Sequence, residues 1–311
     1  MNGTPAPALS VVVPVYNEAG NAAPLCEEIR DVMIAIGRRF EIIFVNDGSR
    51  DSTLDELCQL GACEPRLRIL DLDGNFGEAA ALCAGFGAAR GALVVTLDGD
   101  GQNDPHDIPR LLEALERSGC QVVSGWRQER QEGLFLRVLP SRIANRLIAA
   151  VTRIPVHDNG CGLKIYRRAV VQNAALPRGM NRFMPAIFGV TAAAVAEVPV
   201  NDRRRQHGQS HYGFSRTLVV IRDLLALRFI VANPRVSEPA WGAVAVVAAL
   251  GCVYALWHGS VWRALIAALV VCVATMITWN LHRFNRAQRD GVFRVRREYK
   301  YEGLRPHTAA L

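Results

Sequence analysis

Two aspartates separated by one glycine, Asp98 and Asp100, are the residues whose spacing most directly suggests chemistry. They follow a short apolar run with β-branched residues, 92–95, which predicts a buried strand. Alternate side chains of an extended backbone point to the same side, so both carboxylates would face one ligand. Together with the amide of Gln102 they offer the hard oxygen donors that Mg²⁺ or Mn²⁺ prefers. An acidic surface turn is the alternative that this pattern alone leaves open.

The acidic turn leads directly into a predicted helix. Asp104 and Pro105, with Asp107 three residues after Asp104, are typical of an N-cap, a first-turn proline and an acidic first turn. The two acids therefore fall between a strand and a helix, at the carboxyl end of the strand. Open α/β sheets bind their ligands at that edge.

The same alternation of strands and helices extends along the first half of the chain. Apolar runs predict strands at 9–13, 40–45, 68–72, 92–95 and 121–124, with helices at 21–36, from 52, at 78–89 and at 108–117. This order predicts a mostly parallel, doubly wound α/β sheet. Tyr16, Asp47, Asn75 and Asp98 each follow a predicted strand end. The fold would gather them at one rim, as a nucleotide-sized site.

Two apolar runs near the end of the chain, 240–257 and 261–279, have the length needed to cross a bilayer. Arginines flank the pair on both outer sides, which places both ends in the cytoplasm by the positive-inside rule. A buried helical hairpin of a soluble domain is the alternative. The predicted division is a cytoplasmic α/β domain with interfacial helices at 1–232, a transmembrane hairpin at 233–282 and a basic cytoplasmic tail at 283–311. The flanking arginines are Arg228 and Arg235 before the hairpin, and Arg283, Arg286 and Arg289 after it.

The net charge of +7 suits nucleic acid, an anionic membrane or a phosphorylated substrate. Much of the excess lies at 203–205 and 283–300, and the chain has no zinc-finger spacing and no basic repeat interleaved with aromatics. We therefore expect no nucleic-acid partner. The eight cysteines are scattered without a Cys-x-x-Cys pair, which is typical of a reducing compartment and predicts no structural disulfides.

Several motifs beyond the acidic turn carry a resemblance to a known family. They are PVYNE at 14–18, VNDGS at 45–49, NFG at 75–77, DGDGQNDP at 98–105, SGWR at 124–127, PSRIAN at 140–145, DNGCGLK at 158–164 and the basic segment 203–212. In this order they resemble family-2 glycosyltransferases of the GT-A fold, and within them the polyprenyl-phosphate glycosyltransferases such as dolichol-phosphate mannose synthase. The likeness covers about residues 9–232, and the two C-terminal apolar runs match bacterial members.

The resemblance implies a Rossmann-like GT-A domain and a role for each matched residue. Metal ligation by Asp98, Asp100 and Gln102 would place Mg²⁺ or Mn²⁺ against a diphosphate. The catalytic residues would be Asp98 and Asp100 together with Arg127 and Arg130. The nucleotide sugar would contact Pro14, Tyr16, Glu18, Asp47, Asn75, Gly77 and Asp98. The acceptor phosphate would contact Arg127, Arg130, Arg203, Arg205, Ser210 and His211.

Four residues depart from the family's usual pattern. Gly101 stands where an apolar residue is common, Glu78 where Lys or Gln is usual, Asn181 in place of His, and His211 in place of Lys. Because His is mostly neutral near pH 7, the last change could weaken a phosphate contact. The stretch 134–151 could be an interfacial helix or an ordinary packed helix, and 214–232 is expected to lie on the bilayer.

The function predicted on these grounds is inverting transfer of a sugar from a UDP- or GDP-sugar to a polyprenyl phosphate, at the cytoplasmic face of a bacterial inner membrane. A processive polysaccharide synthase is the alternative among enzymes, but the chain has no Gln-x-x-Arg-Trp motif. A non-catalytic, membrane-bound nucleotide-sugar sensor is the alternative from another class. Association of identical chains stays open.

Overall fold

The computed structural model describes residues 6–128, 139–204 and 215–300, without the side chains of 139–145 and 215–222. Its eight strands form one sheet in the order β7-β5-β6-β4-β1-β2-β3-β8. The strands are β1 Leu9–Val15, β2 Phe40–Asn46, β3 Leu67–Leu72, β4 Leu93–Thr96, β5 Val122–Arg127, β6 Lys164–Arg167, β7 Val195–Val200 and β8 Val295–Lys300. The helices are α1 Ala22–Ile36, α2 Thr53–Cys63, α3 Glu78–Ala88, α4 Ile108–Ser118, α5 Leu139–Thr152, α6 Arg168–Val171, α7 Met184–Ile187, α8 Ser215–Ala232, α9 Pro234–Trp257 and α10 Val261–Asp290.

The centre of the sheet is parallel, as the sequence predicts. β1 pairs in parallel with both β2 and β4, and β2 pairs in parallel with β3. β6 runs antiparallel between β4 and β5, while β7 returns parallel to β5. The carboxyl ends of β1 to β4 therefore meet at one edge, because parallel neighbours point the same way.

Both faces of the sheet are covered, which explains why the central strands are continuous apolar runs. On one face Val11 and Val13 pack with Ile29 of α1 and Leu111 of α4. On the other face Val12 packs in a cluster with helices α3, α8 and the end of α10. The alternation along β1 follows from the two-residue repeat of a strand.

Helices α9 and α10 project their apolar residues outward. They are 24 and 30 residues long, with mean hydropathies of 1.9 and 2.2 over their most apolar stretches. Leu250 is 66% exposed and Leu269 is 65% exposed. A core helix of a soluble domain would bury such side chains, so the exposed surface favours the membrane hairpin over the soluble alternative. The two helices are joined at 258–260, as the sequence predicts.

Helix α8 differs from the expected interfacial helix. Leu224, Leu227 and Ile230 are buried in the core cluster that includes α3, although Val231 is 49% exposed. The helix therefore packs on the catalytic domain along one face. Helix α5 shows both features that the sequence left open, because Ile148 is buried in the same cluster while neighbouring apolar side chains are exposed.

The predicted basic tail at 283–311 is wrong for its first part. Helix α10 continues to Asp290, and its Leu281 and Phe284 are buried in the core of the catalytic domain. The chain then forms β8, which pairs antiparallel with β3 at the edge of the sheet. Patterning missed this strand because its charged residues, VRREYK, suit an exposed edge strand as well as a solvated tail.

A buried ionic network attaches β8 to the sheet. Glu41 of β2 accepts hydrogen bonds from the hydroxyl of Ser10 at 2.7 Å and from Arg68 at 2.6 Å, and Arg68 also pairs with Glu298 of β8 at 2.6 Å. Burial alone would raise the pKa of Glu41, but its hydrogen bonds from Ser10, Arg90 and Arg68 outweigh burial and hold that pKa below its usual value. The network is thus charged near neutral pH.

We expect Glu41→Gln to destabilise the fold by about 3 kcal/mol, because the buried guanidinium of Arg68 would lose the more buried of its two anionic partners. Thermal unfolding in detergent, followed by circular dichroism, measures the change. Glu116→Gln, which removes an exposed pair with Arg38, is the matched control and should leave the midpoint unchanged. Equal midpoints for the two variants would contradict the structural role of this network.

Candidate active site

A cavity of about 740 Å³ opens at the carboxyl edge of β1 to β4. All seven residues predicted to contact a nucleotide sugar line it, as do the remaining proposed metal ligands and Arg127. The prediction that separate rim turns converge is therefore met by the geometry. These residues are Pro14, Tyr16, Glu18, Asp47, Asn75, Gly77, Asp98, Asp100, Gln102 and Arg127.

The acidic turn after β4 is held in shape by hydrogen bonds from its backbone amides to its own side chains. The amide of Asp98 donates to the side-chain oxygen of Asn103 at 2.9 Å, and the amide of Gln102 donates to the carboxylate of Asp100 at 3.0 Å. Gly101 has φ +74°, a conformation that side chains disfavour. The turn therefore has a defined shape before any ligand binds.

The loop at 158–163 closes over the turn from the other side. The hydroxyl of Thr96 donates to the carbonyl of Gly162 at 2.7 Å. A Cβ atom at Gly162 would overlap the carboxylate of Asp98, so any larger residue there would force that carboxylate to move. Lys164 follows the loop and donates from its ammonium to the carbonyls of Cys161 and Asn159.

Asp98 is the most perturbed acid of the site. Burial, together with the nearby carboxylates of Glu78 and Asp100, raises the pKa of Asp98 to about 8, although Arg127 and Lys164 oppose the shift. Carboxylates placed so close repel one another unless a cation lies between them. With the oxygen of Gln102 they form a hard donor set, and this chemistry fits Mg²⁺ or Mn²⁺.

Asp47 connects two of the rim turns. Its carboxylate accepts hydrogen bonds from the amides of Phe76 and Gly77, at 2.7 and 2.8 Å. Asn75 donates from its side chain to the carbonyl of Asp47 at 3.2 Å. Burial raises the pKa of Asp47, and the two amides and Arg178 act in the opposite direction. Each carboxylate oxygen keeps a second lone pair with which it can accept from a ligand.

Arg127 lies at the cavity but is firmly tied to the loop at 158–163. Its guanidinium donates to both carboxylate oxygens of Asp158, at 2.8 and 3.2 Å, and lies 3.8 Å from Asp202. This fork fixes the direction of the side chain. Arg127 therefore presents a positive charge to the cavity from a rigid position.

Arg203 does not reach the cavity, contrary to its predicted role with an acceptor phosphate. Its guanidinium bridges Glu28 at 2.8 Å and Asp104 at 2.6 Å, next to His106. Glu28, Asp104 and His106 are close enough to hold a metal ion, but Arg203 already supplies a cation to both carboxylates. Arg130, Arg205, Ser210 and His211, also predicted for the acceptor, lie outside the described residues.

The structure brings further residues to the cavity that the sequence reasoning did not assign to the site. Glu78 accepts a hydrogen bond of 2.5 Å from Asn181, so two departures from the family pattern contact each other. Their shared departure from the family pattern was the available signal, because a carboxylate and a side-chain amide can form this hydrogen bond. The cations carried no comparable signal, because no local pattern distinguishes them from other basic residues. They are Lys164, Arg178, Arg182 and Arg283.

Comparison with known proteins identifies the family. Residues 10–174 match the family described as Glycosyl transferase family 2. This chain belongs to that family. Over 226 residues it is 45% identical to a dodecaprenyl-phosphate galacturonate synthase of Rhizobium johnstonii, covering 72% of the chain and 67% of the relative. Over 227 residues it is 38% identical to an undecaprenyl-phosphate 4-deoxy-4-formamido-L-arabinose transferase of Pseudomonas aeruginosa, covering 72% and 66%.

The family-2 glycosyltransferase spans about two thirds of the length of these two relatives. Its fold is similar to that of glucosyl-3-phosphoglycerate synthase from Mycobacterium tuberculosis, crystallised with Mn²⁺ and UDP-glucose. The TM-score is 0.57 at 21% identity, over 71% of this chain and 79% of the other. The GT-A-like α/β fold predicted from the sequence is thus confirmed.

We expect Mn²⁺ affinity to rise with pH between 6 and 8 and to level off above pH 8. Asp98, with its pKa of about 8, carries a proton below that pH, and the ion must displace this proton to bind. For one displaced proton, the affinity should rise by up to about tenfold per pH unit. Titration calorimetry at several pH values measures this affinity. Affinity that stays constant from pH 6 to 9 would contradict this assignment.

Two variants separate this site from the second acidic cluster. Asp100→Asn removes a proposed ligand and one of the charges that raise the pKa of Asp98, so binding should weaken and its pH dependence should move to lower pH. Glu28→Gln removes a carboxylate from the cluster around Arg203 and should leave Mn²⁺ affinity unchanged.

Proposed function

We propose that this glycosyltransferase moves a sugar, with inversion, from a nucleoside diphosphate sugar to a polyprenyl phosphate. The observation that carries the proposal is one cavity with acids and cations together, beside two helices long enough to span a membrane. The names of both relatives contain a polyprenyl phosphate and a sugar, which supports the same substrate classes here. Because the relative at 45% identity is a galacturonate synthase, a UDP-hexuronate is the first donor to test.

In this proposal the donor lies along the rim of the sheet. Pro14 lies near the end of β1, and Tyr16 and Glu18 follow it. Together with Asp47 they would hold the base and ribose, while Asn75 and Gly77 shape the neighbouring turn. Asp98, Asp100 and Gln102 would hold Mg²⁺ or Mn²⁺. The ion, when bound, would neutralise negative charge that develops on the departing diphosphate.

The acceptor needs no general base. The second pKa of a phosphate monoester is about 6, so near pH 7 the acceptor is mostly a dianion and already a nucleophile. One of its oxygens forms a bond to the anomeric carbon while the bond from that carbon to the diphosphate oxygen breaks. The electron pair of the broken bond leaves with the diphosphate. Arg127 and Lys164 line the cavity and would orient the attacking anion.

We further propose that the catalytic domain lies in the cytoplasm, with α9 and α10 in the inner membrane of a bacterium. Arg228 and Arg235 precede the hairpin, and Arg283 and Arg286 follow it, so both ends carry the positive charge typical of cytoplasmic flanks. The processive polysaccharide synthase is disfavoured because the chain lacks Gln-x-x-Arg-Trp. The sensor is disfavoured because the acids proposed to hold the metal ion all line the cavity. A protein that binds the donor without any chemistry could lose them.

We expect purified protein to convert polyprenyl phosphate and to give no product with the free polyprenol. The alcohol is a weak nucleophile near neutral pH, and the proposed mechanism supplies no base to deprotonate it. The two lipids are compared at equal concentration with a panel of UDP- and GDP-sugars, and products are extracted and analysed by mass spectrometry. Comparable glycosylation of the alcohol would show that the acceptor is assigned wrongly. Nucleotide-sugar binding without a product from any lipid would favour the sensor.

For the orientation, we expect reporters at Met1 and next to Lys300 to be active on the cytoplasmic side, and one at Gly259 on the opposite side. Gly259 lies in the connection between α9 and α10. One membrane crossing therefore separates it from each of the other two positions, and two crossings separate those positions from each other. Fusions to alkaline phosphatase and a fluorescent protein make the comparison. The same compartment for all three positions would contradict the hairpin.

A further inference from the structure

The cavity has one wall that comes from the membrane hairpin. Helix α10 begins at Val261 and runs without interruption to Asp290, and Arg283 on this helix lines the cavity. Its guanidinium donates to the backbone carbonyl of Arg178 at 3.1 Å. The helix that contains the second predicted membrane span thus also contributes a charged side chain to the site.

Arg178 lies beside Arg283 on the same cavity. Its guanidinium donates to the side-chain oxygen of Asn75, and its side chain packs over Gly77 at the start of α3. The hydrogen bond from Arg283 to the backbone of Arg178 connects α10 to this wall of the cavity. Two guanidinium groups from distant parts of the chain therefore face one space. Each guanidinium group can donate to two phosphate oxygens at once.

The position of Arg283 along α10 matches the depth of a lipid phosphate. Val261 and Trp279 are separated by about 27 Å along the helix, close to the roughly 30 Å of a bilayer's hydrocarbon core. Trp279 is 58% exposed, and tryptophan prefers the boundary between hydrocarbon and head groups. Arg283 follows four residues later, about 6 Å further along the axis, which is within the head-group layer.

We infer that Arg283 of α10, together with Arg178, binds the phosphate of the acceptor lipid; this rests on the proposed function. The donor's diphosphate is assigned to the acidic turn, on the sheet side of the cavity. Arg283 instead comes from the element that leaves the bilayer, where a polyprenyl phosphate carries its charge. The membrane hairpin is then part of the acceptor site as well as an anchor.

Arg286 provides a matched control on the same helix. It lies less than one turn beyond Arg283, its side chain is 70% exposed, and it pairs with Asp290 at 3.3 Å. Arg286 does not line the cavity as the described residues form it. A role limited to positive charge at the cytoplasmic flank would be shared by both arginines, whereas phosphate binding would belong to Arg283 alone.

The test measures KM for the acceptor and for the donor separately, with Arg283→Gln, Arg178→Gln and Arg286→Gln in detergent. A short-chain prenyl phosphate is used, so that partition into a membrane does not alter its concentration. Arg283→Gln should raise the acceptor KM by about tenfold or more, because a charged hydrogen bond to phosphate is lost, with donor KM within about twofold of wild type. Arg286→Gln should change neither value by more than about twofold.

Arg283→Lys should recover part of the acceptor affinity, because it restores the charge without the fork of the guanidinium. If Arg283→Gln fails to fold, Arg178→Gln, which leaves the membrane helix intact, should also raise the acceptor KM by about tenfold or more. Its donor KM is not used in the comparison, because Arg178 also contacts Asn75 of the proposed donor site. Unchanged acceptor KM, or a rise in donor KM alone, overturns the inference while the wild type remains an active transferase. Wild-type protein that transfers to no prenyl phosphate overturns the proposed function itself.

Discussion

Mutual repulsion of carboxylates at one place is the constraint on which the active site depends. Burial of Asp98 and the nearby charges of Glu78 and Asp100 all favour its protonated form. The surrounding structure partly offsets this repulsion with Arg127 and Lys164. Gly162, which has no side chain to displace Asp98, is the steric part of the same arrangement.

Acids and cations reach the cavity from different parts of the chain. Among the described residues that line the cavity, the acids come from the first hundred residues, on the turns and the helix start that follow β1, β2, β3 and β4, whereas the cations come from residue 127 onward. A nucleoside diphosphate with its ion and a lipid phosphate both carry negative charge, so they need separate cationic surroundings within one space. This division along the chain agrees with the proposed two-substrate site, in which an ion held by acids serves one anion and guanidinium groups serve the other.

The sequence predicted those parts of the molecule that follow from local pattern. Buried parallel strands appear as apolar runs, and residues just after them must meet at one edge, so Tyr16, Asp47 and Asp98 could be placed together without coordinates. Residues whose role depends on a distant partner could not be placed. Arg203 looked available for phosphate, but Glu28 lies 175 positions away in the chain and contacts it only after folding.

Strand β8 and Arg283 escaped prediction for the same reason. The charges of β8 become understandable only when Glu298 is seen to pair with Arg68, 230 positions away. Likewise, a basic residue just beyond an apolar helix is expected from topology alone, and nothing local indicates that it faces a cavity. Long-range pairing therefore limits what composition and periodicity can resolve in this chain.

The continuity of α10 with β8 has a mechanical consequence. The helix leaves the apolar span, packs Leu281 and Phe284 into the core, and is followed within a few residues by a strand bonded to the sheet. Only residues 291–294 separate the helix from the strand, so this packing and pairing would transmit a tilt of the anchor to the sheet. In a thinner bilayer, a tilt of α10 would therefore also tilt the sheet. The height of the cavity above the lipid is then set by helix geometry and is independent of how many isoprene units the acceptor carries.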